Sequence, residues 1–100
     1  CRMYQQAIND INKTVELEPQ NVEYWLEKGG IHLRVNQLDE AVTALQKVLN
    51  LDPKNAGAYR MLGYTQIQQK KNKEGMANLK KAKELGDKVA EDLLQKYSKK

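Results

Sequence analysis

The chain nearly repeats itself at a fixed interval, which constrains its fold more than any other feature. ELEPQN at residues 16–21 returns as NLDPKN at residues 50–55, and Pro19 and Pro53 are 34 residues apart. The same shift brings like residues together along most of the chain: Ala7 with Ala41, Gly29 with Gly63, Trp25 with Tyr59, and Leu45 with Leu79. A fixed period of this length is the signature of a repeat architecture, in which each unit packs on its neighbours.

The sequence of each repeat unit predicts two helices. Asn21 and Asn55 are favourable N-cap residues, and no proline interrupts the residues that follow them. Apolar residues then recur at helical spacing. Pro53 marks the end of a pair because proline cannot continue the helical ladder and restricts the residue before it. The pattern predicts six helices, at residues 4–17, 22–35, 38–51, 56–69, 72–85 and 88–98.

Two glycines lie in the middle of predicted helices. Gly29 and Gly63 each cost about 1 kcal/mol relative to alanine at such positions. We expect a close approach of the paired helices to offset this cost, with Ala41 facing Gly29. Gly75 stands at the equivalent position of the second unit, so that glycine faces glycine there. This predicts a more loosely packed second unit, which Gly75→Ala should stabilise through helix propensity.

The repeat resembles the tetratricopeptide repeat, whose pattern W-x-x-L-G-x-x-Y…A-x-x-x-F…P has a 34-residue period. The first complete copy carries Trp25, Lys28, Gly29, His32, Ala41, Leu45 and Pro53. The next carries Tyr59, Leu62, Gly63, Gln66, Gly75, Leu79 and Asp87. A half copy precedes them, with Tyr4, Ala7, Ile11 and Pro19. The departures are Lys28 and Gln66 at usually apolar places, Lys70 at a turn that usually takes glycine, and Asp87 in place of proline.

The resemblance implies an all-α fold, a right-handed superhelical solenoid of antiparallel helix pairs in one domain over residues 1–100. It predicts a half repeat at 1–21, repeats at 22–55 and 56–89, and a capping helix at 88–98. That last helix has an apolar stripe opposite a polar face, as a terminal repeat needs for solubility. We therefore expect the chain to end naturally there and to begin, at Cys1, inside a longer parent.

The sequence predicts no catalytic, cofactor-binding or metal site, and hence no cofactor. His32 is the only histidine and Cys1 the only cysteine, so we expect neither a Cys–His nucleophile pair nor a set of zinc ligands. His32 stands where the family usually has a tyrosine, and we expect it to pack. Gly29 and Gly30 lack the spacing and the Lys-Ser/Thr ending of a phosphate loop.

The resemblance instead implies a partner-binding surface. In this family the first helices of successive repeats line a concave groove that binds peptides, so the chain is predicted to be a non-catalytic protein–protein interaction scaffold. The candidate groove residues are Leu26, Gly30, Leu33, Arg34, Arg60, Tyr64, Ile67 and Gln68. Because Arg34 and Arg60 flank apolar side chains, we expect an acidic or mixed apolar-acidic peptide. The lysine and asparagine clamp that some members use for C-terminal carboxylates is not matched, and Glu27 would repel a carboxylate.

Two alternatives remain open. One is a basic nucleic-acid-associated helical module, because the chain carries a net charge of +4 and its basic excess lies between Lys70 and Lys100. Against it, no arginine follows Arg60 and Tyr97 is the only aromatic residue between Lys70 and Lys100, so bases have little to stack on there. The other is a purely structural spacer within a longer repeat protein.

The sequence also bears on membranes and on self-association. The longest apolar runs are two or three residues, so no membrane span is predicted. The half repeat lacks its first helix, which leaves one face of the N-terminal helix without a partner: Ala7, Asp10, Ile11 and Thr14. We expect a weak homodimer through this helix, since an unpaired repeat end can be covered by a second molecule.

Overall fold

The computed structural model describes residues 2–98, which form six α-helices and no strand. They are α1 (Arg2–Leu17), α2 (Val22–Arg34), α3 (Leu38–Leu51), α4 (Ala56–Gln68), α5 (Asn72–Glu84) and α6 (Lys88–Ser98). The six predicted helices are confirmed with ends that differ by one or two residues, which is the usual uncertainty at a helix terminus. Cys1, Lys99 and Lys100 lie outside the described residues, and so do the expectations that concern them.

Each helix packs against the next one in the chain, and alternate helices also touch. The contacts run α1–α2, α2–α3, α3–α4, α4–α5 and α5–α6, and α4 additionally contacts both α2 and α6. Short loops join the helices, as expected for antiparallel neighbours. The predicted all-α solenoid of helix pairs is therefore confirmed. In this arrangement α2, α4 and α6 lie side by side and form one common face.

Three side chains cap the first helix of each pair. Asn21, Asn55 and Asp87 each accept a hydrogen bond from the backbone N–H three residues ahead, at 3.3, 2.9 and 2.9 Å. Asp87 therefore caps α6 as the two asparagines cap α2 and α4, although a strict 34-residue alignment sets it opposite Pro53. The loop before α6 is correspondingly shorter than the loop before α4. The capping residue and the apolar stripe, rather than a strict interval, determine where the last helix begins.

The core lies along α3 and continues into a cluster at the C-terminal end. The fully buried residues of α3 lie between α2 and α4, and they are Ala41, Ala44, Leu45 and Val48. The second cluster is centred on Leu79, Ala82 and Ala90, with Leu93, Leu94 and Tyr97 packed against it. The stripe predicted for α6 is thus confirmed, except that Val89 is 49% exposed.

Two of the polar residues at usually apolar positions of the repeat form hydrogen bonds to a neighbouring helix. Lys28 on α2 is half-buried and donates a hydrogen bond to Asn12 on α1. Burial lowers the pKa of Lys28, an effect that Glu40 opposes. Gln66 on α4 accepts a hydrogen bond of 2.6 Å from Asn78 on α5. Each departure from an apolar residue therefore comes with a polar partner, which removes most of the cost of burying it.

The helix pairs approach each other closely at the mid-helix glycines. A methyl group built on Gly29 would lie 2.9 Å from Leu45 side-chain atoms, while Ala41 offers only its carbonyl oxygen at 3.6 Å. The second pair is tighter. A methyl group on Gly63 would lie 2.7 Å from the carbonyl oxygen of Gly75, and one on Gly75 would lie 2.7 Å from that of Gly63. The expectation of a looser second unit is therefore wrong, because here backbone meets backbone.

Alanine substitutions test this contact. Gly75→Ala should lower the free energy of unfolding by about 1–3 kcal/mol, since neither backbone can move without separating α4 from α5. Gly30→Ala is the matched control: its methyl group would lie 3.4 Å from the flexible end of Met61, so we expect a gain of about 0.5–1 kcal/mol from helix propensity. Urea unfolding followed by circular dichroism measures both. A stabilised Gly75→Ala protein would show that the two helices are not in contact.

Three helices end in a left-handed turn that reverses the chain. The residues with positive φ are Asn36 (63°), Lys70 (70°) and Gly86 (102°). After α4, the amide of Lys71 donates to the carbonyl of Gln66 at 2.8 Å, which closes the turn around Lys70. Glycine and asparagine tolerate this conformation, whereas a lysine pays for the contact between its Cβ and the backbone. Lys70 therefore stores local strain that its two counterparts avoid.

This strain is measurable by substitution. Lys70→Gly should raise the free energy of unfolding by about 0.5–1 kcal/mol, because relief of the left-handed strain exceeds the entropy that glycine gains in the unfolded chain. Asn36→Gly is the control and should change stability by less than about 0.5 kcal/mol, since asparagine already suits the turn. Thermal and urea unfolding of both variants distinguish these outcomes. Equal effects would mean that Lys70 carries no special strain.

Candidate functional site

The face shared by α2, α4 and α6 contains two neighbouring clefts that meet at the side chain of Met61. The first cleft has a volume of about 810 Å³ and lies between α1, α2 and α4. The second, of about 200 Å³, lies between α2, α4 and α6. Met61 of α4 lines both. Its methyl end lies near Gly30, which has no side chain to fill that space.

Three of the predicted site residues lie in the first cleft. Leu26, Gly30 and Arg34 come from one side of α2. The remaining lining residues are Tyr4 and Ala7 of α1, Glu23, Tyr24, Glu27 and Ile31 of α2, and Met61. The leucine, isoleucine, methionine and tyrosine side chains give this cleft an apolar floor, and the charged side chains stand at its edge. Such a surface suits an apolar segment with polar ends.

The second cleft contains three more of the predicted residues. Leu33, Arg60 and Tyr64 line it together with Met61 and, from α6, Val89 and Leu93. The incomplete burial of Val89 noted above places an exposed aliphatic side chain at this cleft. The second cleft continues the apolar surface of the first.

The structure separates the last two predicted residues from the other six. Ile67 and Gln68 line a third depression of about 300 Å³, next to Met76 and Tyr97. Ile67 also packs between helices: its Cγ1 would lie 2.7 Å from a methyl group on Gly75. Its position is therefore explained by packing between α4 and α5, and it adds less to the shared face than the repeat alignment suggested.

Arg60 has a structural partner. Its Nε lies 3.3 Å from Oδ2 of Asp87, in an orientation that makes an ion pair and not a donated hydrogen bond. The Asp87 side chain is only 13% exposed, and its other oxygen caps α6. Arg60 thus helps to hold the last helix in place. Reversing the charge of Arg60 would therefore also disturb the fold, so Arg34 and Arg60 are not equivalent positions for testing the predicted binding of an acidic peptide.

The charged side chains at the edge of the first cleft form no ion pair among residues 3–98, the residues whose side chains the structure describes. Glu23, Glu27 and Arg34 are exposed on one side of α2, and within that stretch the ion pair of Arg60 with Asp87 is the only one. The two carboxylates lie toward the start of α2, and the guanidinium lies at its end. The cleft therefore has opposite charges at its two ends.

Sequence reasoning missed the side chain that connects the clefts. Met61 occupies on α4 the position that Glu27 occupies on α2, one 34-residue interval earlier. Because Glu27 lies on the predicted groove helix, the same 34-residue alignment identifies Met61 as its counterpart on α4. Tyr4 and Ala7 carried no such signal, because α1 belongs to the second helices of the repeats, which the alignment places outside the groove.

The described residues contain no group of histidine, cysteine, aspartate or glutamate side chains arranged to hold a metal ion. His32 is buried, and its Nδ1 lies 2.7 Å from Oε1 of Gln37, so it packs between α2 and the turn that follows. Over the same stretch of chain, every helix is too short or too polar to cross a membrane.

Comparisons of sequence identify similar proteins. The family described as "TPR repeat" matches residues 29–70. Small glutamine-rich tetratricopeptide repeat-containing protein 2 of Saccharomyces cerevisiae is 26% identical over 95 residues, which are 94% of this chain and 28% of that protein. Sperm-associated antigen 1 of Mus musculus is 36% identical over 73% of this chain and 8% of its own length. The mouse peptidyl-prolyl cis-trans isomerase FKBP4 is 40% identical over 60% of this chain and 13% of its own length. The chain thus spans less than a third of each of these relatives.

Comparisons of structure agree on the fold. The first TPR of Spaghetti (RPAP3), solved with the HSP90 peptide SRMEEVD, superposes with a TM-score of 0.89 over 96% of this chain and 78% of that one, at 20% identity. MamA superposes with a TM-score of 0.79 over 83% of this chain and 48% of its own, at 26% identity. Both share the stacked helix pairs described above.

Proposed function

Because this chain is a tetratricopeptide-repeat protein, we propose that it binds a peptide segment of a partner protein on the face formed by α2, α4 and α6, without catalysis. The observation that carries the proposal is the pair of apolar clefts joined at Met61. A contiguous patch of exposed apolar side chains on one face often marks a protein-interaction surface. The solved complex of the RPAP3 repeat with an HSP90 peptide supports the same use of a similar scaffold.

The proposed module is a single domain over residues 1–100. Within it, residues 1–21 form a half repeat, residues 22–55 and 56–89 form the two repeats, and residues 88–98 form the capping helix. The N-cap side chains Asn21 and Asn55 support the starts of the two repeats. The N-cap Asp87 follows Asn55 by two residues less than the 34-residue interval, which supports the start of the capping helix at residue 88. The exposed polar side of α6, with Glu91, Asp92 and Gln95, supports its role at the end of the stack.

The binding proposal is tested with a displayed library of random peptides and the purified chain. We expect enriched peptides to shift the amide NMR signals of α2 and α4 around the clefts. Leu33→Asp should weaken their binding at least about tenfold, because a carboxylate in the second cleft would be desolvated by an apolar ligand. Ala77→Glu, on the exposed side of α5, is the matched control and should bind as the unchanged protein does.

Three outcomes would contradict the proposal. One is a selection that enriches no peptide, which would favour the spacer interpretation. Another is a set of peptides that shift α5 and not the clefts. The third is salt-dependent retention on immobilised DNA or RNA through the lysines of α5, which would favour the nucleic-acid interpretation.

We also propose weak self-association through α1. Ala7 is half-buried and Asp10 is exposed, whereas their counterparts Ala41 and Ala44 are fully buried beneath α2. Met3 and Leu17 extend the open side and are 79% and 82% exposed. Ile11, expected on this side, is instead buried, so the apolar area is smaller than the sequence suggested. Asp10 lies midway along the stripe, so two-fold antiparallel pairing would bring two carboxylates face to face.

The carboxylate gives a sensitive test of self-association. Asp10→Ala should strengthen dimerisation by about tenfold or more, because it removes the like-charge contact at the two-fold axis. Ala7→Arg should shift the protein to monomer by placing two bulky cations in the same interface. Sedimentation equilibrium over a wide concentration range measures both. If the unchanged chain and both variants are monomeric at every concentration, pairing through α1 is ruled out. A dimer whose stability changes with neither substitution would also rule it out.

A further inference from the structure

The first cleft combines a long apolar floor with charges of opposite sign at its two ends. Tyr24, Leu26 and Ile31 of α2 and Met61 of α4 line the floor. Glu23 and Glu27 lie in the first half of α2, with Tyr24 and Leu26 between them in the sequence, and Arg34 lies at its end. All three charged side chains are exposed and form no ion pair with any of residues 3–98. A ligand along α2 therefore meets negative charge together with apolar surface in the first half of the helix, then apolar surface alone, and positive charge at the end.

The spacing of these charges sets the length of the ligand that they fit. At 1.5 Å per residue, the helix separates Glu27 from Arg34 by about 10 Å, and Glu23 from Arg34 by about 16 Å. An extended peptide advances roughly 3.3 Å per residue, so these distances correspond to about three to five residues. A basic and an acidic side chain four residues apart would reach both ends, with three residues between them over the floor.

We propose that this cleft selects an extended apolar segment with a lysine or arginine at one end and an aspartate or glutamate about four residues away. The basic residue lies against Glu23 and Glu27, and the acidic residue lies against Arg34. This inference rests on the proposed peptide-binding function and names the class of peptide. It excludes uniformly acidic peptides as preferred ligands, because two carboxylates already occupy one end and Arg60 is engaged by Asp87.

Four matched synthetic peptides test the inference: GKLYLEG, GELYLEG, GKLYLKG and GQLYLQG, with blocked ends. Each is titrated against the 15N-labelled chain, and the amide shifts of α2 report both affinity and location. We expect GKLYLEG to bind about tenfold more tightly than GELYLEG, with the other two in between, since each exposed charge pair contributes a modest factor. The variant with Glu23→Gln and Glu27→Gln should reduce this ratio to about twofold. A control variant with Glu74→Gln and Glu91→Gln, on exposed positions of α5 and α6, should keep it.

The outcomes distinguish this inference from the proposed function. GELYLEG binding in the cleft as tightly as GKLYLEG would overturn the charge selectivity and leave peptide binding intact. A ratio unchanged by the two glutamine substitutions would also overturn it. If GKLYLEG shifts no cleft residue at millimolar concentration, the inference fails, while the library selection separately decides whether other peptides bind. Loss of the preference in high salt would support the electrostatic origin.

Discussion

The architecture depends on the distance at which the two helices of each pair pack. At Gly63 and Gly75 the backbones of α4 and α5 are so close that a methyl group at either position would force them apart. Gly29 plays the same part between α2 and α3, where the side chain of Leu45 fills the space. These contacts fix how α2, α4 and α6 are presented side by side. A wider separation of one pair would shift the neighbouring helix and change the clefts.

Much of the fold follows from the sequence because its signals are local and repeated. Asparagine caps, a helical apolar period and a proline after α1 and after α3 place helix ends within two residues, since each signal acts on the backbone beside it. The tightness of the second pair did not follow. Glycine opposite glycine is compatible with both a gap and a backbone contact, and only the three-dimensional distance separates them. The role of Arg60 was hidden for a similar reason, because Asp87 becomes its neighbour only when α6 folds against α4.

The candidate site was predicted in part, and the limits are physical. A repeat alignment identifies which side of a helix faces the groove, and six of the eight predicted residues do lie in the two clefts. It does not show which side chain on that side reaches across to the next helix. Met61 does so because Gly30 leaves space opposite it. Ile67 instead packs against Gly75, where α5 approaches α4 closely, and not on the shared face.

Comparing the two repeats with each other separates positions that pack from positions free to bind. The packing positions keep their character: Gly29 matches Gly63, and Leu45 matches Leu79. On the shared face the pairs differ in size and charge, with Glu27 against Met61 and Gly30 against Tyr64. A ligand that crosses this face therefore meets a different surface at each repeat, even though the helices beneath are nearly equivalent. Such a surface distinguishes one end of a bound segment from the other, so direction and charge order become part of recognition while the packing of the repeats stays the same.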